Sequence, residues 1–199
     1  KKGFTKLKIK VYRKILKFET KNINIYNFLS ALALLEELNL DFSKIKKSLK
    51  SYEPTEGRGK IHNVQRYNKK FKLIDESYNA NPLSVKNAIK NLNTIKKQNF
   101  KKYLILGDML ELGKKSIYLH KKISKVINNS DIDKVFIKGD KTLITFKNIK
   151  KNKRGNIFQQ DTDVDFTLKN IIANNDYLMI KGSNATGLHK LSKRIIKGF

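Results

Sequence analysis

Cysteine is absent from this chain, which excludes disulfides, thiol nucleophiles and thiolate metal sites. Histidine occurs only at His62, His120 and His189, far apart and in no HExxH-type pair. A metal held by protein side chains alone is therefore not expected. No apolar run approaches the roughly 20 residues needed to cross a bilayer. No secretory leader pattern opens the chain, and it does not begin with Met. A cytoplasmic protein is the expectation. The phosphate-loop pattern GxxxxGK[ST] does not occur anywhere. Proline occurs twice, at Pro54 and Pro82, so each one punctuates the chain where it falls.

Acidic side chains are scarce too. Seventeen Asp and Glu face 44 Lys and Arg, a formal net charge of +27. Such a charge favours polyanions, either nucleic acid or an acidic membrane surface. The bases are nearly all lysine, spread along the whole chain; the arginines are Arg13, Arg58, Arg66, Arg154 and Arg194. Lys, Asn and Ile are abundant together, as an AT-rich coding sequence would make them. Sequence-specific nucleic-acid readers favour arginine for bidentate contacts. No specific nucleic acid is expected as a partner, and a basic polyanion-binding module remains the alternative reading.

What is present divides into two patterns. Residues 4–18 alternate, with Leu7, Ile9 and Val11 inward and Lys6, Lys8 and Lys10 outward, which predicts a half-buried strand pair. Residues 24–38 turn to helical period, with Phe28, Leu32, Leu35 and Leu38 on one stripe and Asn39 as a stop. Phe42, Ile45 and Leu49 predict a second short helix capped by Ser43. The breaker-rich stretch 52–59 reads as a linker. Beyond it, strands are predicted near 71–76, 103–107, 134–138, 156–159 and 177–181, and helices near 82–97, 116–128, 140–148, 162–173 and 187–197. That alternation predicts a Rossmann-like α/β domain over residues 61–199: a doubly wound, mostly parallel sheet with helices on both faces. Residues 1–60 bury too little to stand alone and read as the tail of another domain.

Polar groups crowd three predicted strand ends, where ligands bind in open α/β sheets. The first is Leu73-Ile74-Asp75-Glu76-Ser77-Tyr78-Asn79-Ala80-Asn81-Pro82. Asp75 or Glu76 suits a ribose hydroxyl pair, Tyr78 a base or sugar face, and Asn79 and Asn81 amide contacts. A cap at Asn81 and a solvated Asp75 are the plain alternative. The second is Leu104-Ile105-Leu106-Gly107-Asp108-Met109-Leu110-Glu111-Leu112-Gly113, where Asp108 and Glu111 suit a metal-bound water or an ammonium group, unless Asp108 only caps a helix. The third is Ile180-Lys181-Gly182-Ser183-Asn184-Ala185-Thr186-Gly187, with exposed N–H groups, Lys181 and Ser183 suited to an anion. Elsewhere, Asn24 and Asn27 stand one turn apart at a helix start, suited to an adenine edge or to capping. Arg58 lies between Gly57 and Gly59, suited to phosphate or to a solvated hinge.

Together these segments resemble the Mur ligases. Asp75–Pro82 resembles that family's DD-S/A-YNANP signature, Leu106–Gly113 its LGDMxELG loop, and Lys181-Gly182-Ser183 its KGS strand end. Asn24 and Asn27 match the two asparagines of HNxxN, and Gly57-Arg58 the arginine of the interdomain linker. Departures are Ile23 for the family's His, Lys21 for its Gly, and Glu76 for its second Asp. The resemblance implies the C-terminal part of a cytoplasmic, ATP-dependent ligase of peptidoglycan synthesis, working with magnesium. Such an enzyme joins D-alanyl-D-alanine to UDP-N-acetylmuramoyl-tripeptide through an acyl phosphate. A related ligase adding a different amino acid is the alternative. By the same resemblance, residues 1–60 are the end of the central ATP-binding domain and 61–199 the C-terminal domain. Asn24, Asn27, Arg58, Asp75, Glu76, Tyr78, Asn79 and Asn81 are then expected near ATP. Asp108, Glu111, Lys181, Gly182 and Ser183 are expected near the incoming amine substrate. The magnesium ligands are expected mostly in the N-terminal part, so the chain is expected to be a fragment or one half of a split enzyme, inactive alone.

Overall fold

In the computed structural model, residues 5–11, 14–20, 25–42, 48 and 52–198 are described. The chain forms two compact units, Lys1–Thr55 and Glu56–Phe199.

In the first unit, strands β1 (Thr5–Val11) and β2 (Lys14–Thr20) pair antiparallel, with Leu7 opposite Phe18 and Ile9 opposite Leu16. Their alternation puts Lys6, Lys8 and Lys10 in solvent. Helix α1 (Ile25–Glu37) lays Phe28 and Leu32 on the apolar side of the hairpin, and the rings of Phe18 and Phe28 meet edge to face at 5.1 Å. Asn39 adopts the left-handed conformation (φ 52°) that ends a helix, and the Leu40 N–H donates back to the Leu35 carbonyl at 2.9 Å. Leu38 therefore swings off the predicted stripe and is 64% exposed. The helix predicted from Ser43, and Asn24, lie outside the described residues.

The second unit holds a six-stranded sheet: β3 (Lys60–Arg66), β4 (Lys69–Glu76), β5 (Lys102–Gly107), β6 (Lys134–Lys138), β7 (Arg154–Ile157) and β8 (Tyr177–Lys181). The spatial order is β3-β4-β8-β5-β6-β7. Every neighbouring pair is parallel except β3 with β4. Helices α2 (Pro82–Thr94), α3 (Ser116–Asn128), α4 (Thr142–Asn148), α5 (Asp161–Ile171) and α6 (Leu188–Lys197) complete it. Strand β5 shows why the sheet is covered on both faces. Leu104 and Leu106 join α2 and α3 in one core, and Tyr103 and Ile105 join α5 and α6 in the other. Each such fully buried aliphatic side chain contributes about 1.5–3 kcal/mol. No helix among the described residues is long and apolar enough to cross a membrane.

All five predicted strands and five predicted helices of this unit are found. The antiparallel edge strand β3 was not expected. Its hairpin turns at Tyr67 and Asn68 (φ 56° and 57°), the doubly left-handed turn that usually demands glycine. The strain at Tyr67 is offset by its hydroxyl, which donates to Asp165 on α5 at 2.5 Å.

Candidate functional site at the carboxyl edge of the sheet

Strands β4, β8 and β5 are adjacent and parallel, so their following loops emerge side by side on one rim. Ser183 joins them. Its N–H donates to the Asp108 carbonyl at 3.0 Å, and its hydroxyl accepts the Leu110 N–H at 3.0 Å while lying 3.3 Å from the Ala80 carbonyl. One short side chain thus ties the loop after β4 to the loop after β5. Gly107 and Gly182 permit the approach. A Cβ on Gly182 would lie 2.7 Å from Leu188 Cδ1 and 3.1 Å from the Gly107 Cα.

Lys181 is buried at the end of β8. Its ammonium donates to the Asn79 carbonyl at 2.8 Å and stands 3.5 Å from the Glu76 carboxylate. Burial lowers the Lys181 pKa, against the pull of Glu76. Burial likewise raises the Glu76 pKa, against the pull of Lys181. Both shifts have one cause, the loss of water around a charge.

Asp75 is also buried, so the solvated strand end considered from the sequence does not occur. Its Oδ2 accepts the Gly57 N–H at 3.0 Å, and its Oδ1 accepts the Ser77 hydroxyl at 2.5 Å. The Gly57 carbonyl in turn accepts the Tyr78 N–H at 3.1 Å. Gly57 has φ 75° and its missing Cβ would sit 2.8 Å from that of Tyr78, so only glycine fits. This pinned turn sets the Arg58 guanidinium over the Tyr78 ring, 4.2 Å from its centroid. The stacked pair is exposed to solvent, a flat cationic surface suited to a phosphate or a planar ring.

The remaining predicted residues divide by what their side chains already hold. Asn81 caps α2 by accepting the Ser84 N–H at 2.8 Å. Asp108 accepts the Thr142 N–H at 2.8 Å and the Lys141 N–H at 3.3 Å, so it caps α4 rather than facing outward. Asn79 is exposed, with Oδ1 accepting the Ala80 N–H at 2.7 Å. Glu111 is exposed on the second loop, held out by its left-handed backbone (φ 62°). Asn27 is exposed in the first turn of α1. Two contributors, Ser77 and Gly139, escaped the sequence reading. Ser77 completes the Asp75 cradle. Gly139 leaves the space that Asp108 fills, since a Cβ there would meet its Oδ1 at 2.5 Å. Buried His120 accepts the Met109 N–H at Nε2 (3.1 Å) and meets the Ser116 carbonyl at Nδ1 (2.8 Å), which fixes Nδ1 as the protonated nitrogen. Among the described residues, no three His, Asp or Glu side chains gather where a metal ion could sit.

A doubly wound sheet with tethered polar loops on adjacent strands defines a ligand-binding α/β domain, with its site at the carboxyl edge. The family described as "Mur ligase, glutamate ligase domain" matches residues 57–184. The chain belongs to that family, the Mur ligases. Curated relatives are similar along most of the chain. The UDP-N-acetylmuramoyl-tripeptide–D-alanyl-D-alanine ligase of Buchnera aphidicola subsp. Baizongia pistaciae is 32% identical over 88% of this chain and 37% of that protein. The ligase of the same name from Rickettsia prowazekii is 28% identical over 83% of this chain and 35% of that protein. The chain thus spans little more than a third of the length of these relatives. In fold it is similar to a MurF ligase from Thermotoga maritima solved with ADP, with a TM-score of 0.79 and 18% identity over 99% of this chain and 44% of that one.

Proposed function

We propose that the chain is the C-terminal part of a cytoplasmic, ATP-dependent ligase joining D-alanyl-D-alanine to UDP-N-acetylmuramoyl-tripeptide. Residues 1–60 are the end of the ATP-binding domain, and residues 61–199 the C-terminal domain. The observation that carries the reading is the tie made by Ser183, which gathers the three matched signature loops on one rim. The relatives' shared name supports the substrate assignment.

In this reading the chain's own residues supply positioning and charge. Arg58, stacked on Tyr78, meets the nucleotide, with Asn79 and Glu76 toward the same ligand; Asn24 and Asn27 are assigned to adenine by their match to the family's two asparagines. Glu111 is the carboxylate left uncommitted on the second loop, placed to take the ammonium group of the incoming dipeptide. Asp75, Asp108, Lys181 and Ser183 hold these groups at fixed separations, the condition for an amine to meet an activated carboxyl in line. Magnesium is assigned to the ATP-binding part of the enzyme, as the family resemblance implies. ATP supplies the phosphoryl group that activates the substrate carboxyl.

The test is phosphate release from ATP dependent on both the tripeptide substrate and D-alanyl-D-alanine. This chain alone is expected to be inert, with ATP binding weaker than micromolar, about −8 kcal/mol. Joined to the front two domains of a relative, it is expected to turn over with the dipeptide but not with D-glutamate or diaminopimelate. Turnover with either single amino acid instead would move the chain to another branch of the family.

A further inference from the structure

We infer that the outer face of α3 is a docking surface for anionic lipid. This is independent of the ligase reading. Between Glu111 and Asp131 the chain carries no acidic residue. Lys114, Lys115, Lys121, Lys122 and Lys125 are all exposed there. Among the described residues, the ion pairs lie elsewhere and engage none of the five. Amid these cations stand Ile117 and Tyr118, 67% and 56% exposed. The opposite side of the same helix buries His120, Ile123 and Ile127, so the face is a stable feature of a packed helix. Lys122 sits over the Tyr118 ring, 4.6 Å from its centroid. Lys147, on the neighbouring helix α4, is exposed as well.

Charge complementarity names the partner. A cluster of roughly 4–8 lysines beside an exposed apolar pair is the pattern that anionic head groups attract. Isoleucine enters the acyl boundary, and tyrosine suits the interface because its ring is apolar and its hydroxyl polar. The lysine stems reach back to the phosphates. Nucleic acid fits less well. No arginine lies between Arg66 and Arg154, and an apolar pair gains little against a sugar–phosphate backbone. Because α3 begins just after the Glu111 loop, docking brings the rim of the site to the lipid surface.

The test is co-sedimentation of the full chain with vesicles of phosphatidylcholine alone or mixed with phosphatidylglycerol. Binding only to the mixed vesicles, reversed by salt, is expected. K121Q/K122Q/K125Q is expected to weaken it roughly tenfold or more, and K6Q/K8Q/K10Q, which removes the same charge from β1, less than about twofold. I117S/Y118S, which changes no charge, is expected to weaken it several-fold. Equal losses from the two lysine triples, or no effect of I117S/Y118S, would overturn the proposal in favour of undirected charge. So would duplex DNA that binds in physiological salt and discriminates the α3 triple, since the face would then read nucleic acid.

Discussion

The ammonium group of Lys181 lies 2.8 Å from the main-chain oxygen of Asn79, bridging the ends of adjacent strands β8 and β4. A charged side chain at the third signature loop therefore shapes the first. Lys181→Met leaves that carbonyl and the Glu76 carboxylate without their cation. We expect a loss of about 2–4 kcal/mol in urea denaturation at pH 7. Glu76→Gln, which leaves the Asn79 contact intact, is expected to cost about 1 kcal/mol. Equal stability of the wild type and Lys181→Met would contradict the bridging role.

The Asp75 cradle gives a contrast between neighbours. Asp75→Ala strands the buried Gly57 N–H and the Ser77 hydroxyl, for an expected loss of about 1–3 kcal/mol and faster amide exchange at Gly57. Arg58→Ala removes an exposed group and is expected to change stability by less than about 0.5 kcal/mol. In the joined enzyme, the same Arg58→Ala is expected to raise the ATP concentration needed for half-maximal rate. Unchanged kinetics would remove Arg58 from the nucleotide side.

Gly182→Ala drives a methyl group against Leu188 and the Gly107 backbone. Overpacking of this kind costs about 1–3 kcal/mol. The loss is expected to appear as a lower thermal midpoint, with faster exchange at the start of α6. Gly187→Ala, where nothing lies within 4 Å of the added Cβ, tests backbone strain alone (φ 74°) and is expected to cost less, about 1 kcal/mol.

Burial raises the Tyr103 phenol pKa from 10.0 to about 12, and its hydroxyl donates to the Ile171 carbonyl at 3.1 Å. A raised folded-state pKa gives stability that is complete below the unfolded value and lost as pH climbs through the folded one. The window is therefore pH 10 to 12. Lys181, with its lowered pKa, acts in the opposite sense as pH rises, so the difference between wild type and Tyr103→Phe isolates the phenol. That difference is expected to favour the wild type by about 1 kcal/mol at pH 8 and to shrink, then reverse in favour of Tyr103→Phe, as pH climbs from 10 to 12. A difference flat across that window would contradict the assignment.

Much of this was legible in the chain. The dense apolar runs and the helical stripes marked every parallel strand and α-helix of the second unit, because both faces of a buried sheet must be apolar. The rim was legible because Asp75–Pro82, Leu106–Gly113 and Lys181–Ser183 put polar groups where strands end. The division of labour within the rim was not. Nothing local distinguishes Asp108, whose carboxylate caps a helix 34 residues further on, from Glu111, which faces solvent. Asp75 and Asn81 likewise spend their side chains on backbone N–H groups. Strand β3 escaped because its turn is Tyr67-Asn68, stabilised by a distant Asp165 rather than by a local glycine.

The central claim is that the three loops share one rim, on which the second and third take the amine substrate. It is tested most directly by titrating ¹⁵N-labelled chain with D-alanyl-D-alanine and following the amide resonances. We expect saturable shifts at Glu111 and Ser183 with one shared dissociation constant, near millimolar, about −4 kcal/mol, and none with L-alanyl-L-alanine. Shifts confined to a single loop, or the same response to both dipeptides, would contradict the claim.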